Sequence, residues 1–145
     1  MGLATTEETV TDQSDDRVEL TEEQVEFLNS VFDLVRAGDA VAVAAYVDRG
    51  VPVDLTNANG DTLLLLAAYH EHPDLVAALI ERGADPNPVN GRGQTALVAA
   101  VFCQNLAIVE ALLGAGADPA LGSPDARATA AYFQLPVMAS LLNRS

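Results

Sequence analysis

Displacing residues 57–89 by 33 positions lays them on residues 90–122 with twelve identities. They are Asn57/Asn90, Gly60/Gly93, Thr62/Thr95, Leu64/Leu97, Ala67/Ala100, Val76/Val109, Ala78/Ala111, Leu79/Leu112, and Gly83-Ala84-Asp85-Pro86 over Gly116-Ala117-Asp118-Pro119. A period of this length restricts the chain to a stack of like units, because a 33-residue segment cannot enclose its own apolar face and must bury it on a neighbour.

The unit has a physical reading of its own. Asn59-Gly60 is a turn dipeptide, both residues tolerating a positive φ. Thr62 is placed to cap a short helix carrying Leu64, Leu66, Ala67 and Ala68. Pro73 stands where a second helix begins, at a position whose N–H has no intrahelical partner in any case. Leu75, Val76, Leu79 and Ile80 make that helix one-sided, and Gly83 closes it in a left-handed conformation.

These residues resemble the ankyrin repeat family, whose pattern runs Gly-x-Thr-Pro-Leu-His, Leu-Ala-Ala, then two leucines before Gly-Ala-Asp. The first copy reads Gly60-Asp61-Thr62-Leu63-Leu64-Leu65-Leu66-Ala67-Ala68, with Leu79-Ile80 leading into Gly83-Ala84-Asp85-Pro86. The second reads Gly93-Gln94-Thr95-Ala96-Leu97-Val98, with Leu112-Leu113 leading into Gly116-Ala117-Asp118-Pro119. Both copies lose the family's Pro and His, which stand here as Leu63 and Leu65, then Ala96 and Val98. The loss removes that histidine's bonds between repeats, so more apolar stacking is expected. The resemblance implies an all-α solenoid of about four helix-turn-helix units with short β-hairpin-like turns. It also implies protein–protein recognition through the concave face, with no catalysis and no cofactor.

Flanking the two clear copies are weaker ones. Thr21-Glu22-Glu23-Gln24 is a capping box, opening a helix to about Arg36 that Gly38 ends. Asp39 caps a second helix, Ala40–Asp48. Residues 20–56 thus read as an N-terminal capping repeat, ending in an extended finger that carries Asp54. Residues 123–145 read as a shortened C-terminal cap, with Ser123 as its helix cap and Pro124 as the first helical residue. Ala131-Tyr132-Phe133 is aligned with Ala100-Val101-Phe102, and the missing residues are placed in the turn between the helices.

Charge bounds the partners. The 145 residues carry 21 acids and 7 bases, all Arg, for a formal net charge of −14. That balance argues against nucleic acid and anionic membranes, which need a positive face, and favours a partner with a basic surface. Residues 1–19 are acidic and poor in apolar side chains, so composition predicts a disordered, solubilising tail, or one that docks on Arg residues. No stretch is long and apolar enough for a membrane span, and no basic-then-apolar leader is recognisable. Cys103 is the single cysteine, which fits a reducing compartment. The expectation is a cytoplasmic, monomeric protein. Abundant Ala, Val and Arg with no Lys suggests a bacterial source.

The resemblance implies where a partner sits: the turn tips and the ends of the first helices. In this numbering those are Asn59, Asp61, Arg92 and Gln94 at the tips, and Arg36, Tyr69, His70, Phe102, Cys103 and Phe133 at the helix ends. Tyr69, Phe102 and Phe133 fall in successive units about 10 Å apart, the spacing of packed helices. They form either an exposed aromatic strip that anchors a partner or packing between helices. Two other readings stay open. One is a stoichiometric inhibitor or immunity-type protein for a basic toxin or enzyme. The other is a small enzyme or ligand binder using Cys103 and His70, although a catalytic thiol needs an oriented base. His70 and His72 diverge at a helix end and predict no metal site.

Overall fold

The computed structural model describes residues 20–143; the acidic segment 1–19 and the last two positions, with the expectations attached to them, lie outside the described residues. Eight helices follow in chain order: α1 (Glu22–Ala37), α2 (Ala40–Asp48), α3 (Leu63–Tyr69), α4 (Pro73–Glu81), α5 (Ala96–Phe102), α6 (Leu106–Gly114), α7 (Ala126–Tyr132) and α8 (Pro136–Asn143). They pair as antiparallel hairpins. The first helices α1, α3, α5 and α7 pack side by side in one layer, and α2, α4, α6 and α8 in a second. Among the described residues there is no strand, only isolated antiparallel bridges such as Thr56 with Thr62 at a hairpin neck. This is the all-α solenoid that the resemblance implies.

The core lies between the layers and runs unbroken from Val31 and Val35 through Leu64, Leu79, Leu97 and Leu112 to Leu142, all buried. Six of seven residues in α3 and in α5 are buried. Helices that short are marginal alone, so their stability comes from neighbours on both sides. Side chains start most of them. Thr62 Oγ1 accepts from the Leu65 N–H at 2.9 Å and Thr95 Oγ1 from Val98 at 3.1 Å. The Thr21 capping box is present in both directions.

Three features depart from the expectations. The C-terminal unit starts two positions later, with Asp125 as the cap of α7 rather than Ser123. Ala126 lies 30 positions after Ala96, and Pro136 lies 30 after Leu106. The three residues lost from the 33-residue period therefore come from the hairpin tip, not from the turn between helices. Tyr132 consequently takes the place of Phe102, and Phe133 takes that of Cys103.

Stacking is also more polar than the loss of the family histidine suggests. His72 Nε2 lies 2.7 Å from the Arg36 carbonyl, and the Cys103 thiol donates to the equivalent carbonyl of Tyr69 at 3.3 Å. On the opposite edge, Asp54 accepts from the Asp85 N–H and Asn87 from the Asp118 N–H, both at 2.8 Å. The Arg82 guanidinium grips Asp48 of the preceding unit through two bonds.

His72 explains a glycine. Gly38 closes α1 at φ +81°, and a Cβ there would sit 2.6–2.8 Å from three atoms of the His72 ring. Because the Arg36 carbonyl holds that ring in place, it cannot retreat without losing its bond. Gly38→Ala should therefore cost about 2–3 kcal/mol, the sum of left-handed strain and a lost hydrogen bond. Gly83→Ala, at φ +88° with open space around it, carries the strain alone and should cost about half as much. Urea unfolding of the two variants checks the difference.

Candidate partner-binding site

The inner layer leaves a groove of about 500 Å³ between α5 and α7, beneath the hairpin tips. Its floor is aliphatic, from Val98, Pro124 and Ala128, and its wall aromatic, from Phe102, Tyr132 and Phe133. The rings touch edge to face: Phe102 and Phe133 have centroids 5.6 Å apart, Tyr132 and Phe133 4.9 Å. These mutual contacts hold the rings in place, yet Phe102, Tyr132 and Phe133 remain 53%, 79% and 43% exposed. Large side chains so exposed on a rigid frame are unusual outside interaction surfaces.

The structure divides the expected residues into groups. Phe102, Phe133, Arg92 and Gln94 all line the groove. Tyr69 is exposed, but its ring meets His70 at 5.2 Å instead of joining the cluster. Arg36 lies at the other end of the same face, where it pairs with Asp33 at 3.2 Å. Asn59 is exposed at its tip, with its carbonyl accepting from the Gly91 N–H at 2.8 Å to join successive hairpins.

Asp61 is the correction. Expected at an exposed tip, it is only 4% exposed. Its Oδ1 accepts from Asn90 Nδ2 of the next unit at 2.7 Å, and its Oδ2 from Asn57 Nδ2 at 3.3 Å. It is a structural joint, because a carboxylate removed from water must find donors. Tyr132 was missed, and the lost hairpin residues explain why: aligning Tyr132-Phe133 on Val101-Phe102 put the wrong ring at the helix end.

Cys103 and His70 make no catalytic pair. The thiol spends its proton on the Tyr69 carbonyl. Burial pushes it above its ordinary pKa, and the nearby Glu71 carboxylate adds to this, so the reactive thiolate is disfavoured. His70 is held below its usual 6.5 by burial first, then by His72 and Arg36. The unfolded chain therefore takes up that proton first as pH falls through about 6.5, and stability declines below that point. Melting temperatures across this range should fall in the native chain and less steeply in His70→Gln. Among the described residues no group of three or more His, Cys, Asp or Glu could hold a metal ion. No helix described is long and apolar enough to cross a membrane.

A second cavity, of about 440 Å³, opens between α1 and α2 beside Leu20, walled by Phe27 and Tyr46 in edge-to-face contact at 5.2 Å.

Comparison with known proteins agrees with this architecture. A family model described as ankyrin repeats (3 copies) matches residues 32–122. A Pseudomonas aeruginosa protein whose name describes it as a putative ankyrin repeat protein is 43% identical over 60 residues, which is 41% of this chain and 35% of the relative. The chain thus covers about a third of that relative's length. With the repeat model matching well over half of its residues and four hairpins stacked in two layers, the chain belongs to the ankyrin repeat family.

Proposed function

We propose that this chain is a non-catalytic protein-binding module whose inner groove seats a segment of a partner protein. The observation that carries the reading is the cluster of Phe102, Phe133 and Tyr132, exposed on the inner face yet held in place by ring-to-ring contacts. Preformed aromatic anchors lose little conformational entropy on binding, and such side chains dominate the energetics of known interfaces. Ankyrin repeats are in general interaction modules, which supports the assignment. In this reading the units at 20–56 and 123–145 are solubilising caps on the two central repeats, and the protein acts as a monomer in the cytoplasm.

Phe102→Ala combined with Tyr132→Ala should abolish capture of the partner from a lysate of the source cell, with the circular dichroism spectrum unchanged. A folded double variant that captures as well as the native chain would remove the groove from the reading. The net charge of −14 favours a second form of the same function, a stoichiometric inhibitor of a basic toxin or enzyme. That form requires an association rate that collapses between low and high salt, whereas groove binding changes little.

A further inference from the structure

Taking the groove as the binding site, we infer that the segment it accepts carries a carboxylate, from Asp or Glu, next to a large apolar side chain. The one charged side chain lining the groove, Arg92, is a donor only, and the lining holds no carboxylate. Arg92 stands there with its side chain 66% exposed. Its nearest carboxylate, Asp61, is 3.9 Å away, beyond hydrogen-bond distance, and both Asp61 oxygens already accept from Asn90 and Asn57. Among the described residues the guanidinium makes no hydrogen bond, so its five N–H groups are free for a ligand.

Gln94 beside it is oriented by the same joint. Its Oε1 accepts from Asn90 Nδ2 at 3.2 Å, which turns the amide so that the NH₂ end is the one left without a protein partner. The third polar side chain, Thr129, donates its hydroxyl to the Asp125 carbonyl at 2.9 Å and offers the groove no free proton. The rim therefore presents a guanidinium fork and an amide NH₂ above an apolar wall. Acceptors that match a fork are planar and anionic, and a carboxylate meets it with two parallel charge-assisted bonds. A Lys or Arg ligand would find only neutral hydroxyl oxygens, of Thr129 and Tyr132, and no carboxylate in the lining, and would face Arg92.

This contact chemistry is opposite in sign to the expectation drawn from net charge, and the two act over different ranges. Charges beyond about 10 Å are screened at ordinary salt, so the overall acidity governs approach while Arg92 and Gln94 govern what fits. The partner is accordingly a protein whose docking segment is acidic and apolar, whatever the charge of its remaining surface.

The test is to pan a displayed library of random twelve-residue peptides on the full chain, with Phe102→Ala as the counter-selection. The expected consensus places Asp or Glu within two positions of Phe, Leu, Ile or Trp. A fluorescent synthetic peptide of that consensus should lose about tenfold in affinity when its acid becomes the amide, or when the protein carries Arg92→Gln. Combining the two changes should cost no more than either alone, because they remove one interaction. A consensus that depends on Phe102 but is basic or neutral, or that binds Arg92→Gln unchanged, overturns this inference and leaves the groove as the binding site. Enrichment that Phe102→Ala does not reduce, or no enrichment at all, overturns the groove reading itself.

Discussion

Leu97→Ala should lower the unfolding free energy by about 3–4 kcal/mol, the largest loss expected from a single core truncation in this chain. Leu97 is 1% exposed and lies in α5, which packs against α3 on one side, α7 on the other and α6 behind. A hole there therefore loosens two junctions of the stack at once. Neighbouring backbone cannot close it, because α5 is fixed from three directions. Domains of this kind have only about 5–15 kcal/mol in total, and repeat proteins draw most of theirs from the contacts between units. Leu106→Ala, at a side chain 43% exposed, should cost under about 1 kcal/mol by the same reasoning. Urea titrations compare the two, and a Leu97→Ala loss below that of Leu106→Ala would show that the core collapses onto the site.

Asn90→Ala should cost about 3 kcal/mol, more than a typical polar truncation, because it strands a charge. The Asn90 side chain gives Nδ2 to buried Asp61 at 2.7 Å and to Gln94, while its Oδ1 accepts from the backbone N–H groups of Arg92 and Gln94. Removing it opens the hairpin and leaves the Asp61 carboxylate buried with its closest donor gone. A buried charge that loses its partner costs several times an ordinary hydrogen bond. Asn57→Ala, one unit earlier, removes two hairpin bonds and only the longer 3.3 Å bond to Asp61, so about half the loss is expected. Equal losses in thermal or urea unfolding would mean that Asp61 draws no support from the next unit.

What the sequence revealed and what it concealed follow from how local the interactions are. Periodicity and helix caps are written within a few residues, so α1 to α5 are readable from Thr21, Asp39, Thr62, Pro73 and Thr95, and α6 from the repeat of Val76 and Leu79 as Val109 and Leu112. The start of α7 was misread because Ser123-Pro124 is as good a local signal as Asp125, and only the packing of α7 on α5 decides between them. The burial of Asp61 and the span from His72 to Arg36 depend on partners 29 and 36 positions away. Nothing in the local pattern around Asp61 separates a solvated tip residue from a joint. Phe102 was recognisable as a surface aromatic because it follows the last buried turn of a short helix. Tyr132, which stands at the position of Phe102 in the last unit, was hidden by the three residues missing from the last hairpin.

The joints between units have a direction, and that direction determines how long such an array can be. Residues 57–89 contain both halves of two joints. The Asp85 N–H reaches back to Asp54 while Asn87 receives from Asp118. At the tip Asp61 receives from Asn90, while Asn57, at the position of Asn90, bonds Asp61 of its own hairpin. A duplicate of this segment placed after Val89 would find a complementary group on each side, so this unit is a link that permits indefinite lengthening. Residues 90–122 contain one half only. At the positions of Asn87 and Asp61 they have Ala120, with no acceptor, and Gln94. The single amide oxygen of Gln94 already accepts from Asn90 of its own hairpin, and Gln94 lacks the second oxygen that Asp61 gives the next unit. Two substitutions thus leave the fourth unit without these side-chain joints. It is held at the tip by backbone, as the Ser123 N–H donates to the Gly93 carbonyl at 2.8 Å, and Gln94 faces the groove instead of another repeat.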